Sequence, residues 1–79
     1  MSDENQDYKV FLEEQLQCTK ERVRILDEID LKLHQMKKMA EYAVENTLTP
    51  GEVDGLNRQI NDLKYEVDML EKQLHTVDH

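Results

Sequence analysis

The side chains best suited to chemistry in this 79-residue chain are one cysteine, three histidines and a short acidic cluster. Cys18 has no histidine near it in sequence to act as the base for a thiolate nucleophile. It falls on the apolar face of a predicted helix, where we expect a small buried hydrophobic side chain. A single cysteine excludes an intrachain disulfide. It favours a reducing, cytoplasmic setting over an intermolecular bridge.

Two of the histidines have a spacing that could bind a metal ion. His75 and His79 are four residues apart, which on a helix would place both rings on one face, with Asp78 beside them. This spacing is common by chance and helix ends fray, so we predict no metal site. His34 lies four residues after Asp30, and we expect a surface or boundary histidine paired with that acid.

Acid-base catalysis is not predicted for the cluster Asp27, Glu28 and Asp30. Catalytic carboxylates need a desolvated cleft that separates their pKa values, and a two-helix protein offers none. Glu28 precedes Lys32 by four residues, the spacing of an exposed ion pair. Ser2 is the only serine, and the two glycines flank a helix start, so neither a serine nucleophile nor a phosphate loop is indicated. The sequence predicts no catalytic residue, no cofactor and no enzyme.

Charge excludes several classes of partner. Eighteen acidic against ten basic residues give a net charge of −8, which disfavours nucleic acid and anionic membranes. The longest apolar runs are three residues, and the N-terminus lacks the apolar stretch of a secretory signal. We therefore expect a cytoplasmic protein. The acidic charge is interpreted as an aid to solubility, or else as a complement to a basic partner.

The elements that position these residues are two helices, because the chain has only two glycines and one proline. The second, from about 50 to 76, carries apolar residues at alternating spacings of three and four. Such a heptad seam must lie against another helix. The predicted intramolecular seam consists of Val53, Leu56, Ile60, Leu63, Val67, Leu70 and Leu74, followed by Val77.

The first helix is predicted from about 5 to 46, a span without proline or glycine. Successive residues at 100° intervals place one set of side chains in a narrow arc: Phe11, Cys18, Ile25, Ile29, Leu33, Met36, Ala40 and Ala43. A second row widens the apolar face in the first half of the helix: Leu12, Leu16, Thr19 and Val23. So wide a face indicates contact with more than one helix, as in a bundle.

The turn between the helices, at about 47–49, has a specific chemistry. Thr49 is a good N-cap, Pro50 suits the first helical position, and Glu52 completes a capping box. Asn46 is expected to close the first helix in a left-handed conformation. So short a connection favours an antiparallel hairpin in a single domain, residues 1–79. The alternative is a parallel zipper through the second helix, which would set Glu66 against Glu71 of its partner.

The predicted architecture is therefore an all-α antiparallel two-helix coiled-coil hairpin with a long first helix, assembling into a dimeric helical bundle. The second helix is too short to cover residues 5–20, which carry four apolar side chains without an intramolecular neighbour: Tyr8, Phe11, Leu12 and Leu16. Self-association as a homodimer or a higher oligomer would bury them, and an unidentified protein is the other candidate occupant. Leu31 and Tyr42, predicted on the far side of the first helix from its core arc, form a candidate second contact or are isolated surface residues.

The function predicted from these features is a non-enzymatic protein–protein interaction module, a small adaptor or regulator acting through apolar helix faces. Two alternatives remain. One is an acidic decoy or inhibitor that occupies a basic, nucleic-acid-binding protein surface, and the other is a chaperone-like coiled-coil clamp.

Overall fold

The computed structural model of the chain describes residues 2–77, and the side chains of residues 4–77. It contains two α-helices, α1 at Ser2–Glu45 and α2 at Pro50–Val77, of 44 and 28 residues. They pack side by side as a helical hairpin, with no strand in the described range, which confirms the predicted all-α class. Helix α1 begins at Ser2, slightly ahead of the predicted start near residue 5.

The turn is fixed by the predicted capping box. The Glu52 backbone N–H donates to Thr49 Oγ1 at 3.2 Å, and the Thr49 backbone N–H donates to Glu52 Oε1 at 3.3 Å. The Thr49 hydroxyl also donates to Glu52 Oε1 at 3.0 Å. The first backbone bond of α2 runs from the Val53 N–H to the Thr49 carbonyl at 3.0 Å. Two backbone donors at the helix start are thereby satisfied without water.

The end of α1 differs from the prediction, because Asn46 is not left-handed: no non-glycine residue in the described range has a positive φ. Instead, Asn46 donates twice to the Tyr42 carbonyl, from its backbone N–H at 3.1 Å and from its side-chain amide at 2.8 Å. The Tyr42 carbonyl thus accepts the last backbone bond of the helix and a side-chain bond as well. The left-handed prediction was wrong, and the Asn46 side chain bonds to the helix end locally instead.

The core lies toward the C-terminal half of α2. Ile25 of α1 is 1% exposed, and Val67 and Leu70 of α2 are each 7% exposed. Nearer the turn the packing is looser, since Val53 is 40% exposed. One inter-helix ion pair, Lys32 Nζ to Glu66 Oε2 at 2.9 Å, lies beside this core. Both ends of that pair touch solvent, so its contribution to stability is small.

The hairpin is a rod and not a compact globule. Its principal dimensions are 72 × 18 × 12 Å and its radius of gyration is 20.0 Å, against about 12 Å for a compact chain of this length. Its accessible surface is 6687 Å², whereas a folded monomer of 9.4 kDa typically exposes about 5,000 Å². Within residues 2–77, neither helix has an apolar stretch long enough to cross a membrane.

Replacement of Thr49 by Ala tests the capping box. We expect Thr49→Ala to lower the free energy of unfolding by about 1 kcal/mol, because the Glu52 N–H loses its acceptor. Urea denaturation followed by circular dichroism measures the change. The matched control is Thr47→Ala, at an exposed position in the same turn, which should stay within about 0.5 kcal/mol of the parent. Equal effects at the two threonines would contradict a capping role for Thr49.

A second stability test uses Gly55, which is helical and has nothing within 4 Å of the position a Cβ would take. We expect Gly55→Ala to stabilise the protein by about 0.8–1 kcal/mol, because alanine loses less backbone entropy in a helix. The melting temperature should rise by about 4–8 °C. Gly51→Ala, in the first turn of α2, should give a smaller gain, since that turn lacks a full set of intrahelical bonds. A lower melting temperature for Gly55→Ala would show that the site does not have the space described.

Candidate interaction surface

The most conspicuous surface is the N-terminal part of α1, which extends past the end of α2. At 1.5 Å per residue α1 is about 66 Å long and α2 about 42 Å, a difference of about 24 Å or 16 residues. All described side chains from residue 4 to residue 24 are exposed, and Ile25 is the first buried one. We name residues 4–20 the overhang.

The overhang carries the four residues proposed as an association surface. Tyr8 is 65% exposed, Phe11 54%, Leu12 48% and Leu16 55%. Values near one half are what a lone helix leaves accessible, because its own turns cover only the base of each side chain. These residues therefore lie together along one helical segment, with no contact from α2 to bury them.

The predicted seam of α2 follows a gradient of burial. Val67 and Leu70 are buried, and Val53 at the turn end is exposed. The members between and beyond these are half-buried: Leu56, Ile60, Leu63, Leu74 and Val77. The seam is thus the face that α2 turns toward α1, and its packing is tightest around Leu70.

The face that α1 turns toward α2 is rotated from the predicted arc. Ile25 is buried, and Ile29 and Met36 are half-buried, but Leu33 is 48% exposed. Ala40 and Ala43 are exposed as well, whereas Lys32 and Met39 are half-buried. The predicted arc was centred on the apolar side chains, whereas the packed face is centred on Ile25. At 100° per residue Lys32 lies only about 20° from Ile25 and Leu33 about 80°. A heptad count through Ile25 selects Ile29, Lys32, Met36 and Met39, which are half-buried, and then Ala43, which is exposed near the turn.

Tyr42 and Leu31, the candidate second contact, occupy different places. Tyr42 is 50% exposed and lines an open groove between the helices, together with Met39, Leu56 and Leu63. The expectation that it lies on the far side of α1 was wrong, because the rotation brings the Tyr42 edge toward α2. Leu31 is 58% exposed and does not line this groove.

The polar candidates for chemistry lie apart from one another. Glu28 pairs with Arg24, Oε1 to Nη1 at 2.8 Å, and not with Lys32, which reaches across to Glu66 instead. Cys18 is exposed in the overhang, contrary to the predicted burial, because α2 ends before it can cover that position. No cluster of three or more histidine, cysteine, aspartate or glutamate residues suited to a metal ion occurs in the described part of the chain. His79 and Asp78, from the predicted metal-like spacing, lie outside the described residues.

Comparison with protein-family models, with curated proteins and with solved structures gives no match for this chain. Its function must therefore be argued from the placement of its own side chains.

Truncation of Ile25, compared with truncation of an exposed side chain on the same helix, tests how much the core stabilises the hairpin. We expect Ile25→Ala to cost about 2–4 kcal/mol, because it leaves a cavity at the most buried position. Leu31→Ala, a comparable truncation at a side chain that is 58% exposed, should cost less than about 1 kcal/mol. Urea denaturation at one protein concentration compares the two. A larger loss for Leu31→Ala would mean that an uncharted contact covers Leu31.

Proposed function

We propose that this chain is a non-enzymatic protein–protein interaction module that self-associates through its overhang. The observation that carries the proposal is the exposure of Tyr8, Phe11, Leu12 and Leu16 on a helical segment without a neighbour. A contiguous apolar surface of this kind is uncommon on monomers and is typical of an interface. The module would act as a small adaptor or regulator.

The size of the exposed surface supports a sizeable interface. The chain exposes about 1,700 Å² more than a compact monomer of its mass. A standard stable interface buries about 800 Å² on each partner. Each copy could therefore bury the area of a standard interface and still expose at least as much surface as a compact protein of its mass.

A homodimer is the simplest arrangement that uses this surface. Each hairpin offers the same unpaired segment, so a two-fold axis lets two copies cover each other without any further component. Two antiparallel hairpins would then form a four-helix bundle over at least part of their length. An unidentified protein that inserts a helix is the other way to cover the overhang.

The test measures solution mass by light scattering over a concentration series, for the parent chain and for the double variant Phe11→Asp, Leu12→Asp. We expect the parent to run at a multiple of 9.4 kDa and the variant at 9.4 kDa. Removing two apolar residues per chain from an interface costs about 1.5–3 kcal/mol each, which raises the dissociation constant of a dimer by at least about 10⁴-fold.

The matched control carries the same charge change on the other helix. Tyr65 and Met69 are 65% and 41% exposed, and they point away from the seam of α2. Tyr65→Asp, Met69→Asp should leave the mass of the parent unchanged, and circular dichroism checks that each variant keeps its helices. A parent that stays at 9.4 kDa at every concentration would contradict self-association. An overhang variant that keeps the parent mass would exclude the overhang as the surface.

Salt dependence separates the apolar interface from the acidic-decoy alternative. An interface made by apolar side chains should hold its dissociation constant as salt rises, because ions screen charges and not apolar contacts. Binding through the net charge of −8 would weaken steeply over the same range. Loss of the dimer at high salt would therefore count against the proposed mode of association.

A further inference from the structure

A second apolar stripe runs along α1 beside the one that packs on α2. From Leu26 to Ala40, each of its members follows an inner-face residue by one position, so the stripe lies about 100° around the helix. We name it the outer stripe: Leu12, Leu16, Thr19, Val23, Leu26, Asp30, Leu33, Lys37, Ala40 and Val44. Its spacings alternate four and three throughout, and Thr19, Asp30 and Lys37 are its polar members. A helix with two such stripes is built to touch two neighbouring helices.

Helix α2 fills one of these two places and leaves the other exposed. On the outer stripe Val23 is 51% exposed, Leu26 48% and Leu33 48%. Helix α2 has no corresponding stripe. Among the described residues its exposed large apolar side chains are Val53, which belongs to the seam facing α1, and the single pair Tyr65 and Met69. The unpartnered face of the hairpin therefore belongs to α1 alone, along nearly its whole length.

We infer that the outer stripe is covered by the outer stripe of a second copy, with the two α1 helices antiparallel about a two-fold axis that passes between Arg24 and Ile25. This inference rests on the proposed self-association and specifies its register. The axis lies near the midpoint of Ser2–Glu45, so the two α1 helices overlap from end to end. Each overhang then lies beside the half of the other α1 that carries its own α2.

The central layers of this register match apolar residues with apolar ones, while at the ends Ala40 comes opposite Lys9 and Val44 opposite Asn5 of the second copy. Val23 meets Leu26 of the second copy, and Leu16 meets Leu33, each pair occurring twice by symmetry. Thr19 comes opposite Asp30 of the second copy. Its hydroxyl donates to the Gln15 carbonyl at 2.9 Å in the hairpin and would have to rotate away from that bond to donate to the carboxylate. The fit is self-complementary, which is the requirement for a two-fold interface.

Lys37 is accommodated at the edge of the same interface. It comes opposite Leu12 of the second copy, and its aliphatic stem can cover that side chain while its ammonium group stays in solvent. In the hairpin Lys37 Nζ already lies 4.0 Å from Glu41 Oε1, so its charge has an acidic neighbour in its own chain.

Charges along the rim of the stripe give the strongest support for this register. On the side away from α2, the heptad positions that flank the stripe are Gln6, Glu13, Lys20, Asp27, His34 and Glu41, of which Gln6 and Glu41 face each other as a neutral and an acidic group. In an antiparallel pair these positions face each other, which sets Lys20 against Asp27 and Glu13 against His34 of the second copy. The Lys20–Asp27 contact joins opposite charges, and at the Glu13–His34 contact an imidazole N–H can donate to the carboxylate. Each contact occurs twice.

A competing register arises when the two-fold axis moves one heptad toward the N-terminus, which slides the two helices by two heptads. It would set Lys20 against Glu13 of the second copy, but it would also set Leu26 against Lys9 and leave Ala40 and Val44 uncovered. The central register covers the whole stripe and is favoured for that reason. The two registers predict different charge partners for Lys20, so they can be separated by exchange of charges.

The test compares dimer dissociation constants at low salt for the parent, Lys20→Asp, Asp27→Lys and the double variant that exchanges both charges. Each single change turns two attractive contacts into two repulsive ones. We expect about a tenfold higher dissociation constant for each single variant, given the modest strength of exposed pairs. The double variant restores attraction at both contacts and should return to within about threefold of the parent.

The control exchanges the charges that would meet in the shifted register, Glu13→Lys with Lys20→Glu. Rescue by this pair and none by the Lys20–Asp27 exchange would overturn the central register, while self-association through α1 would stand. A double Lys20–Asp27 variant weaker than both single variants would overturn it as well. A parent that is monomeric at every concentration would overturn the proposed function and this inference together.

Discussion

The packing of one α2 stripe against α1 is the interaction on which the hairpin depends. Val67, Leu70 and Ile25 supply nearly all of the fully buried surface, and they lie far from the turn. The capping box and the closure by Asn46 fix where the chain reverses, but they contribute only about 1 kcal/mol per cap. The hairpin thus has a small, off-centre core. A chain this short gains little from a core of that size, which makes association an effective additional source of stability.

The two helices differ in the number of apolar faces that need a packing partner. Helix α2 has one apolar seam, already turned toward α1, and polar residues over most of its remaining surface. Helix α1 is longer by 16 residues and carries two stripes, of which one is covered over part of its length. This asymmetry explains why the rod exposes more surface than a compact protein of its mass. It also means that α1 is the helix through which a larger assembly would be built.

Features set by neighbouring residues were predictable from the sequence, whereas features set by rotation of one helix against the other were not. The capping box at Thr49 and Glu52 depends on residues three apart, and it was confirmed. The inner face of α1 depends on how the two helices are rotated against each other, so an arc centred on apolar side chains misplaced Leu33 and Tyr42. Centred on Ile25, the same spacing selects Lys32 and Met39. The partner of Lys32 also required the structure, because Glu66 is remote in sequence and Glu28 is near.

The overhang also links helix content to protein concentration. Residues 4–20 continue a helix that is anchored at Ile25, so their order needs propagation but no separate nucleation. Propagation in water is nearly balanced, and without side-chain packing the helix loosens progressively toward its start. A contact that buries Phe11 and Leu12 lowers the free energy of the helical state of this segment, and of this segment alone. In a chain that associates there, dilution therefore reduces secondary structure at the N-terminal end of α1 while the hairpin beyond it stays intact.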